Sequence, residues 1–127
     1  MARLMLVIVL RFAVLGQARA QGNRGTANYM LPFCRTWLKV AAERDMAEVA
    51  RNVPDTELMT AGMCAGVVVG IAETLRMFEL ACPPELVSYE PLVRTVVAEI
   101  EKHPEQLSED SIVLASEVVM LSWACKK

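Results

Sequence analysis

The sequence lacks the residue patterns that mark nucleic-acid-binding proteins and P-loop enzymes. Its 13 Lys and Arg residues are dispersed over 127 positions, and the only adjacent basic pair is Lys126 and Lys127. A nucleic-acid-binding domain needs clustered basic residues, so neither DNA nor RNA is expected as a partner. The phosphate-binding motif G-x-x-x-x-G-K-[ST] is also absent, which argues against a P-loop NTPase.

Histidine is nearly absent, which removes the usual general base of hydrolytic enzymes. The only histidine, His103, precedes a proline and is expected at an exposed helix end, so no Ser-His or Cys-His arrangement is predicted. The paired carboxylates Glu99 with Glu101 and Glu109 with Asp110 are typical of solvated faces and of charges at helix ends. We therefore predict no catalytic residues and no enzymatic activity.

The chain has few cysteines, and no two of them are close in the sequence. Cys34, Cys64, Cys82 and Cys125 are separated by 30, 18 and 43 residues. Structural zinc sites usually contain a C-x2–4-C pair, which this spacing does not provide. No metal site and no cofactor are therefore predicted.

The first 20 residues have the composition of an export signal. Arg3 supplies a positive start, residues 4–15 are apolar apart from Arg11, and residues 18–20 form an A-x-A cleavage motif. We expect cleavage after Ala20. The charge inside the apolar run leaves an uncleaved anchor or a misassigned start codon as alternatives, and the lack of a nearby cysteine disfavours a lipoprotein.

Removal of this segment leaves residues 21–127 as a single domain. It has 10 basic and 15 acidic residues, a net charge of -5, and retains all four cysteines. An even number of cysteines behind an export signal favours two disulfides and an oxidising compartment, here the periplasm. A domain of this size buries only a modest core, so disulfides would contribute much of its stability.

Apolar residues recur with the spacing of amphipathic helices, and no segment alternates with a period of two. The sequence therefore predicts an all-α fold: a small bundle of four helices, or five if a short extra turn forms, stapled by two disulfides. Asn28, Asp55 or Thr56, Ser88 and Ser108 are the expected N-caps. The helices are expected at about 28–41, 57–79, 89–102 and 109–123, with a frayed or separate turn at 46–50.

Three glycines share one face of the second predicted helix, because Gly62, Gly66 and Gly70 recur every four residues. Each glycine costs about 1 kcal/mol of helix propensity, so we expect another helix to pack closely against this face. The G-x-x-x-G spacing is also a transmembrane contact motif. However, the uncharged run at 58–72 spans 15 residues, fewer than the roughly 20 needed to cross a bilayer, which favours a buried helix.

The last predicted helix is apolar on nearly every side. Only Ser116, Glu117 and Ser122 interrupt its apolar residues. Such a helix is either central in the fold or has a second face that meets a partner.

The length of the second predicted helix reduces the number of possible disulfide pairings. Cys64 in the second turn of a straight helix and Cys82 just past its end would lie about 27 Å apart, too far to bond, so two pairings remain. The last two helices are joined by a short loop and are expected to be antiparallel, which brings Cys82 near Cys125. We therefore predict the pairs Cys34 with Cys64 and Cys82 with Cys125.

Several motifs resemble those of the Rap/Tai family of type VI secretion immunity proteins. Residues 62–70, GMCAGVVVG, resemble the family's G-x-C-x-G-x-x-x-G helix, and Cys82-Pro83-Pro84 resembles its C-x-P step. The resemblance extends in order over about residues 28–127. Its other elements are the third-helix core at 92–97, the helix end His103-Pro104-Glu105 and the terminal Ala124-Cys125.

This resemblance implies a periplasmic antidote that binds a toxic type VI secretion effector, in known cases a peptidoglycan amidase, and blocks its catalytic cleft. It also implies a small helical protein that is often a homodimer. The loop at 104–110 carries Glu105, Glu109 and Asp110. We expect this loop to face the partner, because an acidic loop can steer toward and fill a basic cleft; a solvated interhelical loop is the alternative.

Two other function classes fit the same features. A small periplasmic chaperone of the acid-stress type is similar in size, helicity and export signal, and would expose apolar surface on acidification. A structural or regulatory subunit of an envelope complex would have a stable partner without toxicity. Specific protection of a cell against a toxin distinguishes an immunity protein from both.

Overall fold

The computed structural model describes residues 24–85 and 89–126, and every regular element in these ranges is helical. This confirms the all-α prediction, and the expected extra turn forms a short helix of its own. The predicted export signal at 1–20 and the predicted cap Ser88 lie outside the described residues. The elements are α1 (Ala27–Ala42), α2 (Met46–Asn52), α3 (Asp55–Met77), α4 (Glu90–Glu101), a 3-10 turn (Pro104–Gln106) and α5 (Ser111–Ser122).

The first two long helices begin at residues other than the predicted caps. Thr26, not Asn28, precedes α1, and its hydroxyl accepts a hydrogen bond from the Tyr29 N–H. Pro54 precedes α3 without a side-chain cap, so neither Asp55 nor Thr56 has the predicted role. Proline disfavours helical backbone in the residue that precedes it. Pro54 therefore separates α3 from the preceding helix without a side-chain cap.

One side of each long helix contributes to a single core. In α3 the buried residues are Ala61, Cys64, Val68 and Ala72, and this side packs mainly on α1. Helix α4 buries a continuous apolar stripe that follows the helical period. The largest fully buried side chains are Leu92, Val68, Val93, Val96, Val119 and the disulfide-bonded Cys34 and Cys64.

Two disulfides join the helices in the predicted pairs. Cys34 and Cys64 link α1 to α3, with their Cα atoms 5.2 Å apart. Cys82 and Cys125 link the segment after α3 to the segment after α5, with a Cα separation of 4.9 Å. The Cys82 N–H also donates to the carbonyl of Trp123 at 2.7 Å, so covalent and hydrogen bonds hold the two ends together.

Helix α3 is longer than its uncharged run. Its 23 residues are enough, by length and composition, to cross a membrane. A core helix of a folded domain passes the same test, and α3 buries one side against α1, to which Cys64 is covalently bonded. The opposite side of α3 faces outward, which leaves much of its apolar surface exposed.

Candidate partner-binding site

The predicted acidic loop at 104–110 is held in place by the start of α1. Backbone hydrogen bonds connect the loop, and the first residue of α5 behind it, to residues 25–28. A loop fixed in this way loses little conformational entropy when it binds a partner. The bonds run from the Ala27 N–H to the Glu109 carbonyl (3.0 Å), from the Asn28 N–H to the Leu107 carbonyl (2.8 Å) and from the Ser111 N–H to the Gly25 carbonyl (2.8 Å).

Asp110 has a structural role that the sequence analysis assigned to Ser108. Its carboxylate accepts hydrogen bonds from the backbone N–H groups of Ile112 (2.9 Å) and Val113 (3.1 Å), so Asp110 is the N-cap of α5. The earlier expectation is wrong because the residues before Asp110 belong to the loop and its 3-10 turn. Aspartate directly before an apolar helical run is itself a strong capping signal, and would have identified this start.

Glu105 interacts with the end of α4. Its carboxylate lies 3.1 Å from Nδ1 of His103. A backbone hydrogen bond, and then the hydrogen bond and charge of His103, lower the pKa of Glu105 below its ordinary value. Glu105 is therefore ionised at neutral pH, and His103 lies at an exposed helix end as expected.

Glu109 is the least constrained of the three predicted contact residues. Its side chain is exposed, while its backbone carbonyl binds the Ala27 N–H. The structure thus brings Glu105, Glu109 and Asp110 together on one short segment, with one carboxylate engaged in a helix cap and one paired with His103.

A cleft beside this loop was missed by the sequence analysis. It has a volume of about 310 Å³ between α4 and α5. Its lining includes His103 and Gln106 at the loop, two carboxylates and an apolar floor. The last predicted helix is apolar on nearly every side, and this feature of the sequence could have indicated the cleft. The lining residues are Glu99, Ile100, His103, Gln106, Leu114, Glu117, Val118, Leu121 and Ser122.

The predicted close packing against the glycine face is wrong within the described chain. Gly62, Gly66 and Gly70 are exposed, and a Cβ atom built on any of them would meet nothing within 4 Å beyond its own stretch of helix backbone. The reason is that α3 buries the side carrying Cys64 and Val68, while the three glycines lie on the side that faces solvent. The glycines therefore do not serve packing among residues 24–85 and 89–126.

The described residues also provide no grouping suited to metal binding. In residues 24–85 and 89–126 no three His, Cys, Asp or Glu side chains come together as a possible metal site. All four cysteines are engaged in disulfides, so none of them is available as a thiolate.

One comparison with known proteins gives a match. A family model described as Rap1a immunity proteins matches residues 26–125. This range begins at the N-cap of α1 and includes every helix of residues 24–85 and 89–126 and both disulfides. No curated protein and no solved structure matches the chain.

Proposed function

Because the chain belongs to the family of Rap1a immunity proteins, we propose that it inhibits a toxic type VI secretion effector in the periplasm by covering the toxin's catalytic cleft. The observation that carries the proposal is the family match over residues 26–125. Immunity proteins of this kind act as inhibitors that bind a cognate toxin. We propose a peptidoglycan amidase as the toxin, on the resemblance of the sequence motifs, and a homodimer as the assembly.

The two disulfides support the proposed location. Disulfides form and persist in oxidising compartments such as the periplasm, and both bonds in this chain connect distant segments. The composition of residues 1–20 is that of an export signal. A toxin that attacks the cell wall would act in the periplasm, so a periplasmic inhibitor would be in the same compartment as its target.

The loop at 104–110 is the proposed contact with the toxin. It is exposed, it is fixed to α1 by backbone hydrogen bonds, and Glu105 and Glu109 present carboxylates on it. The lowered pKa of Glu105 keeps that charge present under mildly acidic conditions. Charged groups on a fixed surface raise association rates with an oppositely charged cleft, so we propose a basic rim around the toxin's active site.

Co-expression tests the function directly. The product of the neighbouring open reading frame is directed to the periplasm of a laboratory bacterium, and lysis is followed with and without this protein. Specific protection is the expected result. A toxin that kills regardless of this protein, or a neighbour that is harmless, contradicts this pairing, and client holding on acidification would then support the chaperone alternative.

Charge variants test the contact. Glu105→Gln with Glu109→Gln is expected to weaken toxin binding and to reduce its dependence on salt concentration. The matched control is Glu48→Gln with Glu57→Gln, which removes two exposed carboxylates near the far end of α1. Equal affinities for the two double variants would refute the role of the loop while leaving the immunity function intact.

A further inference from the structure

The cleft between α4 and α5 combines an apolar floor with carboxylates, and we call it the α4–α5 cleft. Ile100 and Leu114 are each 3% exposed and contribute to its floor. Val118 is half-buried, whereas Leu121, near the end of α5, has 83% of its surface exposed. The volume of about 310 Å³ is that of a site for one small ligand. The cleft therefore suits a single side chain of a partner better than a whole helix.

The charged groups of the α4–α5 cleft are mainly acidic. Glu99 and Glu117 line it, and none of the described residues that line it is a lysine or an arginine. The Glu99 carboxylate accepts a hydrogen bond from Lys102 at 2.5 Å. Glu117 forms no ion pair within residues 24–85 and 89–126. Glu117 is therefore the carboxylate that is available to a cation of a partner.

From this combination we propose that the α4–α5 cleft binds an arginine side chain of the toxin, an inference that rests on the proposed function. The apolar stem of an arginine can lie along the floor while its charged end stays at the wet rim. There the planar guanidinium can donate two parallel hydrogen bonds to the Glu117 carboxylate. Lysine fits less well, because its compact ammonium is more strongly hydrated. An apolar side chain would remove water from Glu117 without replacing its hydrogen bonds.

The position of the cleft favours the same toxin surface as the loop at 104–110. Gln106 belongs to both, and His103 connects them, because it lines the cleft and lies 3.1 Å from Glu105. A basic rim that approaches the loop would therefore bring cationic side chains to the mouth of the cleft. Exposed charges act mainly on the association rate, whereas a charge pair held in a cleft acts mainly on the dissociation rate. The loop and the cleft thus have separable kinetic effects.

Dissociation of the complex tests the role of Glu117. Glu117→Gln keeps the size of the side chain and removes its charge, and it is expected to speed dissociation from the immobilised toxin by about tenfold or more. Glu48→Gln is the matched control, because Glu48 is also an exposed helical glutamate without an ion pair to the described residues. It should dissociate at the native rate. Equal dissociation rates for the two variants would overturn the proposal.

A double-mutant cycle identifies the arginine on the toxin. Each arginine on the rim of the toxin's catalytic cleft is replaced with alanine and is measured against both native Glu117 and Glu117→Gln. Residues in direct contact have non-additive effects on the binding free energy. For one toxin arginine, Glu117→Gln is expected to cause no further loss of affinity. Additive effects with every arginine of the rim would refute the assigned occupant.

A small-molecule probe tests the cleft without the toxin. N-acetylarginine amide is titrated into the mature, disulfide-bonded protein at constant ionic strength, and methyl NMR signals are followed. Saturable shifts are expected at Val118 and Leu121. N-acetylcitrulline amide has the same shape without the charge and should cause little change, as should the arginine probe with Glu117→Gln. No saturable shift, or equal shifts with both probes, would contradict an arginine site.

These measurements separate a failure of the cleft from a failure of the proposed function. A toxin that is inhibited equally well by native protein and by Glu117→Gln would leave immunity standing and remove the cleft contact, even if the arginine probe binds. A neighbouring gene product that does not bind this protein would remove the pairing, and with it the toxin as the source of the arginine.

Discussion

Replacing Asp110 with alanine is expected to destabilise the protein by about 1 kcal/mol, the usual cost of losing a capping carboxylate. The carboxylate accepts hydrogen bonds from the N–H groups of Ile112 and Val113, at 2.9 and 3.1 Å. Without it these donors bind water at an exposed helix end, which limits the loss. For a domain of this size the midpoint of thermal unfolding should fall by about 5 °C.

Thermal unfolding followed by circular dichroism measures this effect, with Glu109→Ala as the control. Glu109 is adjacent and exposed but caps no helix, so its replacement should leave the midpoint almost unchanged. Asp110→Asn keeps a capping oxygen and removes the charge, and should lie between the two. Equal midpoints for Asp110→Ala and Glu109→Ala would refute the capping argument.

The same set separates stability from toxin recognition. If the charge of Asp110 contacts the toxin, Asp110→Asn loses affinity although its cap is retained. If Asp110 acts only by capping α5, Asp110→Asn binds the toxin with the affinity of the native protein. Titration calorimetry at a temperature well below unfolding distinguishes these outcomes.

Three further perturbations have defined outcomes. Replacing Cys34 and Cys64 together with serine should lower the free energy of unfolding in urea by about 3.5 kcal/mol, from the entropy of the closed loop; an unchanged urea midpoint would contradict this. Gly70→Ala should stabilise the monomer by about 1 kcal/mol, because its Cβ meets open space, and a destabilised monomer would show a contact within the chain. NMR titration should give Glu105 a pKa below its ordinary value. The stabilisation contributed by its ionised carboxylate is then present above the unfolded-state pKa and is lost as the pH falls through the folded-state pKa. His103→Ala should raise this pKa only partly, because the backbone hydrogen bond is the larger cause.

Much of the fold could be predicted because it depends on local periodicity. The stripe on α4, with Leu92, Val96 and Ile100 buried, follows from spacing alone. The disulfide pairing followed from helix length and from a short connection between α4 and α5. These arguments need only distances along the chain, which the sequence contains.

The helix starts were less predictable because capping depends on which neighbouring residue has a free acceptor in the folded chain. Asn28 and Ser108 are acceptable caps by type, yet Thr26 and Asp110 occupy those positions. The N–H of Asn28 instead binds the carbonyl of Leu107, a residue 79 positions away. A hydrogen bond between such distant segments cannot be inferred from local preference.

The sequence by itself determined the helical class, the disulfide pairs, the acidic character of the loop and the motifs of the family. Only the tertiary structure decided which face of each helix is buried. Gly62, Gly66 and Gly70 were expected to lie against a helix of the same chain, but α3 turns Cys64 and Val68 inward and the glycines outward. Helical spacing shows which residues share a face, whereas the direction of that face is set by competition among all the apolar surfaces of the chain for one core.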